Sequence, residues 1–123
     1  MTSTKEKGQD GEEMAIAHLL KKNYSIKEQN WRFAKYEVDI IAVKDETIVF
    51  IEVKLRSSEY FGAPEIFVST KQKLNLIRAA NRYIDQNKIQ WEARFDIISI
   101  VISTQGSRLK HIEDAFKPEV NQE

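Results

Sequence analysis

The sequence predicts an α/β domain in which a mixed β-sheet is flanked by α-helices, with the element order αβββαββ. Three observations predict this class. A stripe of helical period opens the chain, two strand-like runs follow as a hairpin, and a second helical stripe separates that hairpin from two further strand-like runs. A hairpin makes an antiparallel pair, whereas a helix between two strands is the usual crossover of a parallel pair. The sheet is therefore expected to contain both kinds of pairing.

The composition is that of one globular domain. The 123 residues are 41% hydrophobic and 31% charged, which is enough apolar material for a core. Cysteine is absent, so disulfides, thiolate metal sites and thiol nucleophiles are excluded, and a metal ligand must be oxygen or histidine. We expect a domain over residues 8–116 between flexible tails at residues 1–7 and 117–123.

Charge and hydropathy restrict the location and the partners. The first residues lack the apolar segment of a signal peptide, and no apolar run reaches membrane-spanning length, so we expect a cytoplasmic protein with no membrane partner. The 19 basic and 19 acidic residues balance, which counts mildly against a protein that mainly coats nucleic acid. Residues 66–94 hold six basic and two acidic residues, which could form a basic face or an ordinary solvated helix surface.

The first helix is predicted over about residues 8–22. Five residues fall on one stripe of this helix: Glu12, Ile16, Leu19, Leu20 and Asn23. Residues 24–27 alternate and could begin the sheet, and residues 30–33 mix aromatic and basic side chains. We expect Trp31 to fill the core and Arg32 to contact a ligand.

Residues 36–43 and 47–55 form the clearest hairpin, joined by the polar residues 44–46. The second strand is apolar on both faces from Ile48 to Ile51, so it is expected to be central, with helices over both faces. Residues 56–64 read as a surface loop. Its Tyr60 and Phe61 could close over a substrate or could simply cover the core.

The second helix begins with a capping box formed by Ser69 and Gln72. Its apolar stripe consists of Leu76, Ile77, Ala80, Tyr83 and Ile84. A strand is predicted over residues 94–103 and an edge strand over residues 108–113, and Trp91 is expected in the core.

Charged residues stand at the end of the otherwise apolar central strand. Glu52 and Lys54 share one strand face because they alternate with Val53. The polar connection can pair Val43 with Thr47 or with Ile48. Asp39 then falls opposite Ile51 in the first register and opposite Glu52 in the second, which also sets Glu37 opposite Lys54.

Asp39, Glu52 and Lys54 can therefore meet on one patch. Two adjacent carboxylates repel each other unless a cation lies between them, and a hard divalent ion such as Mg²⁺ prefers oxygen ligands. A lysine beside them can orient a water molecule or stabilise negative charge on a phosphate. These residues together would suffice for metal-assisted phosphodiester hydrolysis. On spacing alone, a solvated cross-strand salt bridge is the more common explanation of such a pair.

Three further candidates have weaker signals. Glu12 lies on the apolar stripe of the first helix, either as a functional acid or because acids favour a first helical turn. Lys71 lies in the first turn of the second helix, where a cation opposes the helix dipole, so we expect phosphate contact with Lys73 as its companion. His18 and His111 show no ligand spacing and are expected to be ordinary surface or core residues.

The chain resembles the YraN (UPF0102) family from about residue 8 to residue 116. The residues that carry the resemblance are Gly8, Gly11-Glu12 followed by Ala15 and Leu19, Asn30-Trp31-Arg32, Glu37-Val38-Asp39-Ile40-Ile41-Ala42, Val49-Phe50-Ile51-Glu52-Val53-Lys54, Arg56 and Lys71. The resemblance implies a restriction-endonuclease-like fold of the PD-(D/E)xK type, similar to archaeal Holliday junction resolvases.

The resemblance also implies residue roles. Asp39 takes the acid position of PD-(D/E)xK enzymes, Glu52 and Lys54 take the D/E-x-K positions, and Glu12 takes the acid of helix one. Glu37 and Arg56 belong to the surrounding pattern. The chain departs from the pattern at Tyr36, where the family usually has glycine, and at Val38, where proline would precede the motif aspartate. The first change could alter how closely a phosphate backbone approaches.

The leading hypothesis is a Mg²⁺- or Mn²⁺-dependent endonuclease acting on branched or otherwise structured DNA. Asp39 and Glu52 would bind the metal ion, with Glu12 as an outer ligand or a ligand through water. Lys54 would position the water or stabilise the phosphate. Arg32, Arg56, Lys71 and Lys73 would contact DNA. A homodimer would suit a junction with two symmetric strands. The alternative is a nucleic-acid-binding module that has little activity of its own and works with a partner, and a third, weaker reading is a structural adaptor.

Overall fold

The computed structural model describes residues 4–57 and 68–118, with only the backbone course given for residues 4–9. The elements in chain order are α1 (Thr4–Lys21), β1 (Ser25–Phe33), β2 (Tyr36–Lys44), β3 (Thr47–Ser57), α2 (Thr70–Gln86), β4 (Glu92–Ser103) and β5 (Gly106–Ile112). The predicted order αβββαββ is confirmed. Tyr60 and Phe61 of the predicted loop lie outside the described residues.

The five strands form one mixed sheet in the order β1-β2-β3-β4-β5. The pair β3–β4 is parallel and the other three pairs are antiparallel. The helix α2 makes the crossover that the parallel pair requires. β3 is thus an interior strand, as its apolar sequence predicts.

Each face of the sheet carries its own core, because β3 supplies apolar side chains to both faces. Ile48 and Phe50 belong to the core beneath α2, whereas Val49 and Ile51 belong to the core beneath α1. Phe50 stacks on Phe95 with 5.8 Å between ring centroids. The predicted mixed sheet flanked by helices is therefore confirmed. No helix within residues 4–57 and 68–118 has the length and apolar content needed to cross a membrane.

The turn between β2 and β3 fixes the register of the hairpin. Asp45 and Glu46 have φ angles of 52° and 62°, the positive values typical of a two-residue hairpin turn. Val43 pairs with Ile48. Of the two registers considered, this is the one that aligns Asp39 with Glu52.

Several boundaries differ from the prediction, and three of them change the extent of α1, β1 and β3. α1 begins at Thr4, before the expected start at residue 8, although residues 4–7 show no apolar periodicity. β1 extends to Phe33 because residues 31–33 pair with residues 36–38 across a tight turn. β3 continues through Arg56 and Ser57, which were predicted to begin a loop, because parallel pairing with β4 continues there.

The two tryptophans have different environments. Trp31 packs edge-on against Tyr83 of α2, with 5.1 Å between ring centroids, so its predicted core position is confirmed. The prediction for Trp91 is wrong: 44% of this residue is exposed. It lies between the end of α2 and β4, outside the region that either helix covers.

Candidate active site

The acidic residues of the hairpin lie where β2 and β3 separate. The pairing between these strands ends at Ile40 and Ile51, so Asp39 and Glu52 are the next residues on the two strands. The Asp39 carboxylate accepts a hydrogen bond from the backbone N–H of Val53, with 2.8 Å between Oδ2 and N. A side-chain oxygen thus replaces the carbonyl that a regular ladder would supply. The strands can diverge without leaving this N–H unpaired.

The backbone is irregular at this point on two strands. Val38 and Ile41 both belong to the core beneath α2, although residues three apart on a regular strand point to opposite faces. On β1, Asn30 lies opposite Asp39 and has a φ of 52°. Asparagine tolerates this left-handed conformation better than most residues. The irregularity therefore coincides with the acidic residues.

Glu52 and Lys54 lie one strand period apart on β3. The Lys54 Nζ is 3.5 Å from Glu52 Oε2. The two side chains are only 26% (Glu52) and 12% (Lys54) exposed. The pair is therefore a partly buried contact along one strand, and the solvated cross-strand salt bridge considered from the sequence is not what the structure shows.

The carboxylates raise one another's pKa values. Burial raises the pKa of Asp39 to about 7, and the charges of Glu52, Glu12 and Glu37 add to this rise. The hydrogen bond from the Val53 N–H opposes it. Burial also raises the pKa of Glu52, which Lys54 partly offsets. The charge of Glu37 raises the pKa of each of the other three acids, Asp39, Glu52 and Glu12. The structure thus brings Asp39, Glu52, Glu12 and Glu37 into one electrostatic cluster.

Glu12 reaches this cluster from α1. The preceding residue, Gly11, is buried against Leu55 of β3, and a Cβ built on it would lie 3.4 Å from Leu55 Cδ1. The helix therefore runs close to the sheet at this point. The Asn30 side chain donates a hydrogen bond to Glu12, and burial raises the pKa of Glu12 more than this bond lowers it. The prediction that the helix-one acid joins the hairpin acids is consistent with this geometry.

The basic residues predicted to contact DNA are more dispersed. Arg32 is 74% exposed in its side chain and lies 3.7 Å from Glu37, at the border of the acidic cluster. Arg56 donates a hydrogen bond to the carbonyl of Leu55 at 3.2 Å. Lys71 is exposed near the start of α2. The Lys73 Nζ lies 5.7 Å from the ring centroid of Phe116. Of these four, only Arg32 has a contact with a member of the acidic cluster among the described interactions.

The donor chemistry of the cluster fits a hard divalent cation. It offers carboxylate oxygens, and Lys54 is in contact with Glu52. Within residues 4–57 and 68–118, no three acidic or histidine side chains stand as a ready-made set of metal ligands. Mg²⁺ commonly uses one or two carboxylates and keeps several waters, so the fit does not require a third protein ligand.

Comparison with known proteins identifies the family. The profile of the uncharacterised protein family UPF0102 matches residues 11–100. The chain belongs to the UPF0102 family. A UPF0102 protein of Christiangramia forsetii is 44% identical over 116 residues, which cover 94% of this chain and 98% of that protein. A UPF0102 protein of Flavobacterium psychrophilum is 44% identical over 109 residues, covering 89% and 92% respectively. The resemblance read from the motifs is therefore confirmed.

Asn30 is the site residue of this UPF0102 chain that the sequence reasoning missed. It combines a positive φ with a hydrogen bond to Glu12, so it links the irregular strand to the acid of the helix. One signal was present: an asparagine interrupts a run otherwise suited to a strand, and asparagine is depleted in strands but enriched at left-handed positions.

Replacing Asp39 with asparagine should stabilise the metal-free protein at high pH. The pKa of Asp39 is raised above the unfolded value of about 3.9, so the folded state holds the proton more tightly. The contribution of this group to stability therefore falls as pH rises from about 4 to about 7. In chelator, Asp39→Asn should gain on the order of 1–3 kcal/mol over wild type at pH 8 and little at pH 4. Urea unfolding at both pH values measures this. A variant less stable than wild type at pH 8 would contradict the raised pKa.

Substitutions at Asn30 should separate its backbone role from its hydrogen bond. Asn30→Gly keeps the left-handed φ and loses only the bond to Glu12, whereas Asn30→Ala also places a Cβ in an unfavourable conformation. We expect the alanine variant to be less stable than the glycine variant by about 1 kcal/mol. Equal denaturant midpoints for the two variants would show that the backbone conformation carries no strain.

Proposed function

We propose that this UPF0102 protein is a Mg²⁺- or Mn²⁺-dependent endonuclease that hydrolyses phosphodiester bonds in branched or otherwise structured DNA. The observation that carries the proposal is the geometry of β2 and β3. Two partly buried carboxylates, Asp39 and Glu52, flank the point where the strands diverge, and Lys54 lies beside them. A buried, poorly compensated pair of acids is costly to a metal-free protein and is more often found at functional sites than elsewhere.

Each member of the cluster has a role in this proposal. Asp39 and Glu52 would hold the ion, with Glu12 as an outer ligand or a ligand through water. The bound ion would supply an activated water and neutralise charge on the phosphate. Lys54 has three N–H donors, and within residues 10–57 and 68–118 its one ion-pair partner is Glu52, so it can also donate to a phosphate oxygen or orient a water molecule. Glu37 adds negative charge and holds Arg32 near the cluster.

The surface beside the cluster supports a nucleic-acid substrate. The turn between β1 and β2 carries Phe33 and Tyr36 with cations near both rings. The Arg82 guanidinium lies 4.7 Å from the centroid of Phe33, and the Lys35 ammonium 5.8 Å from that of Tyr36. Partly exposed aromatic rings with adjacent cations are suited to unstacked bases and phosphates, which branch points provide. The contact with DNA would extend to four basic residues, Arg32, Arg56, Lys71 and Lys73. Two copies of the chain would match the two symmetric strands of a junction.

A second function is favoured by one observation. Because no ready-made set of three ligands occurs among the described residues, the domain could instead bind nucleic acid and leave cleavage to a partner. Such a module should bind DNA equally well in chelator, with a steep dependence on salt. A strict requirement for divalent metal would count against it.

Cleavage of a DNA panel tests the proposal. Labelled linear, single-stranded, flapped and four-way-junction DNAs are incubated with the protein in Mg²⁺, Mn²⁺ or chelator. We expect cutting of a branched substrate only with metal. Asp39→Asn should abolish cutting because it removes a ligand of the ion, and Lys54→Ala should slow it by roughly a hundredfold or more because it removes a positive charge beside the reacting phosphate.

The chain offers a matched control. Asp45→Asn makes the same chemical change on the exposed turn of the same hairpin, where asparagine suits the positive φ. This variant should cut as wild type does. If Asp39→Asn cut at the wild-type rate, the site assignment would fail. If no substrate were cut by folded, metal-loaded protein, the binding module would replace the nuclease as the better description.

A further inference from the structure

A second group of polar side chains lies on the sheet, centred on Asp96 of β4. Asp96 is fully buried. Its carboxylate accepts hydrogen bonds from Arg94 at 2.9 Å and 2.8 Å and from the backbone N–H of Asp114 at 3.0 Å. The remaining contact is with His111 of β5, whose Nε2 lies 2.7 Å from Oδ2. Asp96 is thus held in one orientation by three neighbours.

This carboxylate orients the His111 ring. With Nε2 donating its proton to Asp96, the other ring nitrogen, Nδ1, carries a lone pair. That nitrogen lies 3.1 Å from Nε2 of His18, in the last turn of α1. The two rings meet edge-on, with 5.2 Å between centroids. The sequence shows no sign of this contact, because 93 positions separate the two histidines along the chain.

We propose that His18 and His111 form a site for a transition-metal ion such as Zn²⁺, Cu²⁺ or Ni²⁺, bound by His18 Nε2 and His111 Nδ1 and separate from the acidic cluster. Two neighbouring ligands at about 2.0–2.1 Å from one ion lie roughly 3.0–3.4 Å apart, depending on the coordination geometry. The observed separation of 3.1 Å falls within this interval. The ligands are nitrogen, which favours these ions over Mg²⁺.

The surroundings of the pair match those of known histidine ligands. A ligating histidine commonly donates its other ring N–H to a carboxylate, as His111 does to Asp96. The proton on His18 Nε2 would move to its Nδ1 when the metal binds, so no net proton need be lost. The partly exposed His18 leaves the remaining coordination positions to water.

The acidic cluster does not share these residues. The histidine pair uses β5 and the last turn of α1, whereas Asp39 and Glu52 are on β2 and β3. The chain contains only two histidines, so any imidazole nitrogen bound to a metal belongs to this pair. That makes the assignment testable by spectroscopy without ambiguity.

The experiment uses full-length protein without a histidine tag. Cu²⁺ is added and electron paramagnetic resonance is recorded, and Zn²⁺ binding is measured by titration calorimetry. We expect a Cu²⁺ spectrum split by two nitrogen nuclei, and His18→Gln should weaken Zn²⁺ binding by at least about tenfold. Asp85→Asn serves as the control, since it removes an exposed carboxylate from α2, on the opposite face of the sheet from α1, and should leave both results unchanged. Equal Zn²⁺ affinity of wild type and His18→Gln would overturn the proposal.

A second measurement needs no variant and so does not depend on His18→Gln folding. In long-range ¹H–¹⁵N spectra of wild type, Zn²⁺ should shift His18 Nε2 and His111 Nδ1 to metal-bound values while His111 Nε2 keeps its proton. Imidazole signals that stay unchanged at saturating Zn²⁺ would overturn the proposal independently.

Discussion

The hydrogen bond between the Asp39 carboxylate and the Val53 N–H is the contact on which the candidate site depends. It lies where two central strands stop pairing, and it gives an acceptor to the N–H of Val53, two residues beyond the last paired residue of β3. An unsatisfied buried N–H would cost about 1–3 kcal/mol, so a divergence of strands inside a sheet needs such a replacement. The same carboxylate would hold a cation in the proposed nuclease. One side chain therefore serves the fold and the chemistry together.

The two cores explain why this divergence is tolerated. β3 is covered on both faces, by α2 over Ile48 and Phe50 and by α1 over Val49 and Ile51. The parallel pairing with β4 continues through the whole length of β3, from Thr47 to Ser57. The strand is thus fixed along one edge and both faces, and only its edge toward β2 opens. A site built on so constrained a strand keeps its side chains in position without a ligand.

Much of this arrangement could be read from the sequence. The apolar run of β3, the capping box at Ser69 and the polar connection between β2 and β3 each have local signatures, and the structure has the corresponding elements. The sequence allowed two registers for this hairpin, and only the one that pairs Val43 with Ile48 aligns Asp39 with Glu52. It depends on the positive φ angles of Asp45 and Glu46, which the sequence leaves open because neither is glycine.

Other features could not be read locally because they join distant segments. The contact of His18 with His111 follows from α1 packing on one face of the sheet, and no spacing along the chain encodes it. The exposure of Trp91 depends on where α2 ends relative to β4. The left-handed Asn30 lies within a strand, where pattern alone predicts ordinary extended backbone. These features follow from tertiary packing, which overrides local preference.

The two aspartates of the sheet, Asp39 and Asp96, differ in how the protein compensates their charge. Burial acts on both in the same direction. For Asp96, hydrogen bonds from His111, Arg94 and the Asp114 N–H outweigh burial and lower its pKa, so its charge is already compensated. Asp39 has one N–H donor and is surrounded by other acids, so its pKa rises. The same residue type, in the same sheet, has its charge compensated by Arg94 at one position, whereas at the other no basic side chain of the described residues forms an ion pair with it. Because a protein that only needed a stable fold could compensate both as it does Asp96, the deficit at Asp39 favours a bound cation as the missing partner.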